Sequence, residues 1–143
     1  FNGHFGRVRA IEVLSSGLLA TGAEDNIIKL WDMSSGLLLK NLSSHTSYIF
    51  DIKELFNGSI VSTSYDYTFK VWNPYEEAVI CTISGGIFRF WSLEIYHNNT
   101  IITGLYNGLQ LWHHNCSLIK SISGVSGFAT SLYYFYGTNT ILR

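Results

Sequence analysis

The 143 residues carry ten acidic and nine basic side chains, with 47% apolar and 15% aromatic content and one proline, Pro74. So even a balance, with no local basic stripe, excludes the field that holds a nucleic acid or an anionic membrane, and the apolar content excludes a disordered chain. The longest apolar runs, four or five residues, are too short to cross a bilayer, and no signal-peptide pattern opens the chain.

In chain order, strand-length apolar segments alternate with turn residues. The first four are 8–14, 18–23, 27–31 and 37–42, separated by Ser15-Ser16-Gly17, Asp25-Asn26 and Ser34-Ser35-Gly36. Such breaks carry turn chemistry and leave no room for a helix. The same order returns at 49–55, 59–65, 68–72 and 78–84, and again at 90–96, 100–106, 108–112 and 117–123. Each set predicts four antiparallel strands, a to d. Apolar residues fall on both parities in strand b (Leu18-Leu19, Ile101-Ile102), so both faces of each sheet must be covered. Strand a steps by three and then two, as in Val8, Ile11, Val13 and in Phe90, Leu93, Ile95, which predicts a β-bulge. Glu54 stands where this pattern expects an apolar residue.

The sets are copies of one phrase. Trp31, Trp72 and Trp112 stand 41 and 40 residues apart in IIKLWD, TFKVWN and GLQLWH, and Gly3-His4 and Ser44-His45 each lie 27 residues ahead of their Trp. The third copy is one residue shorter at its b–c turn, where Asn107-Gly108 supplies a strong hairpin signal. A period of 40–45 residues with Gly-His at one end and Trp-Asp at the other marks four-stranded propeller blades. The fold class expected is all-β, a run of β-propeller blades.

At these residues the chain resembles the WD-repeat (β-transducin-like) family. The resemblance covers units at about 3–44, 45–85 and 86–124 and the opening of a fourth at 125–143. It weakens along the chain: Asn73 replaces the final Asp in unit two, Gly86 and His113 replace His and Asp in unit three, and Val125 stands at the His position of unit four. Phe1-Asn2 reads as the end of a preceding strand d, and a seven-bladed ring needs about twice this length, so the chain is expected to be part of a larger propeller. The resemblance implies a buried hydrogen-bonded tetrad per blade: Trp31, Thr21, His4 and Asp25, then Trp72, Ser62, His45 and Asp66. A degenerate set of Thr103, Asn107 and Trp112 follows in unit three. Indole N–H, hydroxyl, imidazole and carboxylate can form such a chain of donors and acceptors.

Ser or Thr with His and Asp are also the residue types of a hydrolase triad. Here the set recurs at the repeat period, whereas a nucleophile is needed once, so a structural lock is the reading and no enzyme is expected. His113-His114-Asn115-Cys116 lacks a second ligand pair for zinc and reads as a solvated c–d turn. No metal or cofactor is expected. Phe128 and Tyr133 to Tyr136 read as packing of an unfinished strand. Cys81 and Cys116 sit in unrelated local contexts, so no disulfide is expected. The four Asn-x-Ser/Thr sequons at Asn41, Asn57, Asn98 and Asn115 are attributed to composition.

The WD-repeat resemblance implies an intracellular, cytoplasmic scaffold that presents loops to protein or peptide partners. Its alternative is the recognition arm of a ubiquitin ligase, GTPase or kinase complex. Side chains flanking the first core residue of strand a are expected to surround the working rim: Arg7 and Arg9, Tyr48 and Phe50, Arg89 and Trp91. Glu24, Tyr65 and Tyr106 stand beside the b–c turns. Arg, Tyr and Trp dominate interface hot spots, and the arginines favour acidic or phosphorylated groups.

Overall fold

The computed structural model describes residues 3–87, 89–106, 108–123, 133–134 and 141–142. Blade one comprises β1 (Val8–Val13), β2 (Leu18–Ala23), β3 (Ile27–Asp32) and β4 (Leu38–Ser43). Blade two comprises β5 (Ile49–Glu54), β6 (Ile60–Ser64), β7 (Thr68–Asn73) and β8 (Ala78–Ser84). Blade three comprises β9 (Ser92–Tyr96), β10 (Thr100–Leu105), β11 (Gly108–Trp112) and β12 (Leu118–Ser123). Each is a four-stranded antiparallel meander resembling a propeller blade, and β13 (Tyr133–Tyr134) pairs with β14 (Ile141–Leu142) beyond them. Unit four's Val125, the aromatic run's Phe128 and Asn107 lie outside the described residues.

The blades stack through their first strands, β5 lying against β1 and β2, and β9 against β5 and β6. The bulge expected in strand a occurs between Val8 and Ala10 and between Ile49 and Asp51. In blade three, β9 begins only at Ser92, although Trp91 N–H still reaches Gly104 O. A second irregularity falls between β3 and β4, β7 and β8, and β11 and β12, each time at the Trp. No residue pattern in those strands announced it.

Strand a of blade one packs differently from its equivalent in blade two. Val8, Ile11 and Val13 are 45%, 65% and 58% exposed, and the buried residues of that stretch are Ala10 and Leu14. The equivalent Ile49 and Ile52 of blade two are fully buried. The alternation is the same in both; the difference is the neighbour. Ile49 and Ile52 press on β2, where a Cβ on Gly22 would stand 2.5 Å from the Ile49 Cγ2. Among the described residues nothing presses on Val8 and Ile11 in that way. Glu54 turns its carboxylate out of the core, toward the a–b turn of blade one.

Two apolar clusters fill the blade interfaces, one around Ile28, Ile49, Ile52 and Trp72, the other around Phe69, Phe90, Ile101 and Trp112. Buried Lys29 and Lys70 carry their ammonium groups across to Asn41 and Thr82 on the neighbouring outer strand, so only their aliphatic stems join the packing.

The expectation that the two cysteines form no disulfide fails. Cys81 on β8 and Cys116 in the turn after β11 are bonded, with Cα atoms 6.4 Å apart. Local context separates them by 35 residues, but strand d of one blade lies beside the c–d turn of the next. No helix among the described residues is long and apolar enough to cross a membrane.

Candidate functional site

The d–a loops and b–c turns share one edge of the blades, tied by Glu24 N–H to Arg7 O and Tyr65 N–H to Tyr48 O. Behind this rim stand the tetrad residues. In blade two, Trp72 Nε1–H donates to Ser62 Oγ at 2.8 Å. His45 Nε2 lies 2.7 Å from Ser62 Oγ, and His45 Nδ1 lies 2.8 Å from Asp66 Oδ2. Blade one repeats this with Trp31, Thr21, His4 and Asp25 at 2.8, 2.7 and 2.8 Å. In blade three Trp112 Nε1–H donates to Thr103 Oγ1 at 3.1 Å. Gly86, at the His position there, has φ +64° in open surroundings, so an imidazole on that backbone is strained.

Burial holds the His45 imidazole below its usual pKa despite the opposing pull of Asp66. Asp66 is held well below the usual carboxylate range. Burial raises it, but hydrogen bonds from His45 and Thr68, the His45 charge and the Thr46 N–H more than offset that. The ground state is a neutral imidazole donating through Nδ1–H to an ionised carboxylate and accepting the Ser62 hydroxyl proton at Nε2. Ser62 Oγ already receives the Trp72 N–H and is fully buried. The residue types of a triad thus form a chain of hydrogen bonds from indole to carboxylate, with its hydroxyl enclosed.

In front of the lock the rim residues divide. Arg9 forms a fork-like pair with Glu24, donating through Nε and Nη2. Arg7 is exposed and makes no salt bridge among the described residues. Tyr106 is 44% exposed on the same edge of blade three. The other candidates converge between blades two and three. The Arg89 guanidinium lies 3.5 Å above the Tyr65 ring, 5.0 Å from Tyr67 and 5.7 Å from Trp91. Phe50 packs 5.0 Å from Tyr65 and 5.8 Å from Trp91, and Tyr48 stands 6.0 Å from Tyr65. Phe50 and Trp91 thus pack across the interface while forming the floor of the cluster.

Tyr67 was missed by the sequence reading. It occupies the b–c turn at φ +66°, and its hydroxyl accepts from Arg89 Nη2 at 3.2 Å. Its place directly after Asp66 was the available signal, since Asn26 follows Asp25 at φ +70° in blade one. Arg89 Nε is buried and has no hydrogen-bond partner among the described residues. The cluster is therefore an aromatic platform holding a cation between two blades.

The turn at His113 to Ser117 closes on its own backbone, His113 N–H to Ser117 O and Cys116 N–H to His113 O, and its cysteine is committed to the disulfide. Among the described residues no group of three or more His, Cys, Asp or Glu side chains is placed to hold a metal ion.

Comparison with known proteins agrees with this architecture. Residues 1–32 and 36–73 match the family described as WD domain, G-beta repeat. The chain is 45% identical over 71 residues to WD repeat and SOCS box-containing protein 1 of Homo sapiens, covering 48% of the chain and 17% of that protein. It is 28% identical over 123 residues to the DENN domain and WD repeat-containing protein SCD1 of Arabidopsis thaliana, covering 82% of the chain and 10% of that protein. The chain thus spans a small part of the length of these relatives. The crystal structure of the computationally designed Ika4 protein superposes with a TM-score of 0.83 at 24% identity, covering 94% of the chain and 84% of the designed one. At that identity the likeness is one of fold.

Proposed function

We propose that this WD40-like repeat domain is a non-catalytic interaction scaffold whose working surface is the rim between blades two and three. The observation that carries the reading is the Arg89 guanidinium stacked 3.5 Å over Tyr65, ringed by Tyr67, Phe50 and Trp91. Side chains that lose little freedom on binding give affinity at low entropic cost. The ligand that fits is a peptide segment or protein loop with an acidic or phosphorylated side chain for Arg89 and an apolar neighbour for the aromatic floor. Arg7, exposed on blade one, extends the positive rim.

The test is capture of acidic and phosphorylated peptides from a degenerate library, read by fluorescence anisotropy. Arg89→Ala and Tyr65→Ala should each weaken binding at least tenfold while the melting temperature changes little. Retained binding in both variants, with loss on changing the a–b turns around Ser16 or Asn98, would move the working surface to the opposite rim.

A second reading is favoured by the relatives, whose names join WD repeats to a DENN domain or a SOCS box. In that reading the scaffold is the substrate-recognition arm of a larger regulatory or enzymatic protein. The same rim serves both.

A further inference from the structure

The two blade interfaces are built on one plan at their outer edge, and one of them is covalent. Leu38, Val79 and Leu118 stand opposite Trp31, Trp72 and Trp112 in the β3–β4, β7–β8 and β11–β12 ladders. Two residues after each comes Lys40, Cys81 or Lys120, and two before each comes Gly36, Glu77 or Cys116. The last three all have positive φ, at +71°, +57° and +67°. Cys81 therefore occupies the place of Lys40, and Cys116 the place of Glu77. In each interface the strand residue of one blade meets the turn residue of the next. Between blades one and two, Lys40 Nζ lies 3.5 Å from Glu77 Oε1 and donates to Tyr75 O. Between blades two and three, the same two positions are joined by the Cys81–Cys116 bond.

We propose that Cys81 and Cys116 form an oxidation-responsive latch between blades two and three, a modification site that a small-molecule disulfide closes and a small-molecule thiol opens. In closing, one protein thiolate attacks the oxidant disulfide and displaces one thiolate. The second protein thiolate then attacks the resulting mixed disulfide and displaces the other. The protein loses two thiol protons and two electrons, the Sγ–Sγ bond forms, and the oxidant becomes two thiols. Opening is the reverse, with two thiols converted to one disulfide.

Three observations argue for a latch that opens rather than a permanent staple. Both cysteines are only partly buried, at the margin of the apolar cluster between the blades. The interface keeps other ties: Phe69 packs edge-on 5.2 Å from Phe90 and 5.3 Å from Trp112, and Phe56 N–H donates to Asn99 Oδ1 at 2.6 Å. The equivalent interface, between blades one and two, is held with no covalent bond at all. Because Arg89 and Tyr65 face each other across the latched interface, opening should also loosen the rim. That consequence rests on the rim being the binding surface; the latch itself does not.

The experiment takes the full chain through a series of glutathione redox buffers, quenches with a maleimide mass tag, and follows β-sheet circular dichroism and melting in parallel. Expected are two tags in reduced glutathione, none in oxidised glutathione, an unchanged β-sheet spectrum, and a melt about 10 °C higher for the closed form. The double variant Cys81→Lys/Cys116→Glu copies the preceding interface and should melt at or above the reduced wild type, with no response to glutathione. Thiols that stay taggable in oxidised glutathione overturn the proposal. So does a bond that yields only in denaturant, or a β-sheet signal lost on reduction. Phosphopeptide binding to the closed and open forms separates the two readings: equal affinities remove the coupling to the rim, while tags and melts still decide the latch.

Discussion

Glu54 grips Ser15 with both carboxylate oxygens, Oε2 accepting the backbone N–H at 2.7 Å and Oε1 the hydroxyl at 2.8 Å. This relationship explains a residue that breaks the apolar pattern of its strand. The end of β5 in blade two clamps the a–b turn of blade one, and Phe56 N–H to Asn99 Oδ1 makes a related tie between blades two and three.

Glu54→Ala should cost about 1–2 kcal/mol, since hydrogen bonds to a charged acceptor are worth more than neutral ones but these are partly exposed. Glu54→Leu, which restores the apolar pattern, should lose as much. Urea denaturation of the two variants checks this; a Leu variant as stable as wild type would refute the clamp.

The blade-two lock makes its own prediction. Trp72→Ala removes a side chain that is 1% exposed together with the donor to Ser62 and should cost about 3–5 kcal/mol. His45→Ala strands the Ser62 hydroxyl and the Asp66 carboxylate and should cost about 2–3 kcal/mol. Trp112→Ala should cost less than Trp72→Ala, because Trp112 is 8% exposed. Thermal melts measure all three, and a His45→Ala melt equal to wild type would show that the lock carries no stability.

Asp51 provides a pH test. Burial pushes its carboxyl up to about 6, against the attraction of Lys53 and the Ile52 N–H, with Glu12 and Glu94 adding to the rise. A raised folded pKa means that the folded state holds its proton longer than the unfolded chain. Stability from this group is thus complete below about pH 4, declines between pH 4 and 6, and is absent above. Asp51→Asn should stabilise the protein at pH 7 by about 2–3 kcal/mol and leave it unchanged at pH 3.5. The His45–Asp66 pair acts oppositely. Both pKa values are lowered in the fold, so its contribution is present above pH 6.5 and is lost as the pH falls. Removing Asp51 should therefore expose a steeper acid loss in denaturation midpoints taken from pH 3.5 to 8.

The open face of blade one predicts association. Val8, Ile11 and Val13 are all at least 45% exposed on one side of β1, and Phe5 is 97% exposed nearby. Such a patch favours self-contact. Sedimentation velocity should show concentration-dependent association of the chain, and Ile11→Lys with Val13→Glu should abolish it. Association unchanged in that double variant would place the contact elsewhere.

Much of the fold was legible because blade strands are short, local and bounded by turn residues. The twelve strands of the three blades begin and end close to the apolar segments, and the bulge in strand a showed as a step of three followed by two. The tetrad residues were nameable through the WD-repeat resemblance, whose pattern maps onto residues that recur at one spacing from the Trp. The rim was legible only in part: Tyr48, Phe50, Tyr65, Arg89 and Trp91 were named singly, but Tyr67 and the stacking order were not.

By itself the sequence determined the local grammar of this protein: strand lengths, turn positions, the repeat, and the donors and acceptors available to each blade. These follow from backbone preferences and side-chain chemistry within about forty residues of chain. Only the tertiary structure decided what one blade does to the next. Val8 and Ile11 obey the same pattern as Ile49 and Ile52 yet lie open, because burial belongs to the neighbouring sheet and not to the strand. For the same reason Glu54 finds Ser15 and Cys81 finds Cys116: their partners lie 39 and 35 residues away along the chain, and only stacking brings them within bonding distance.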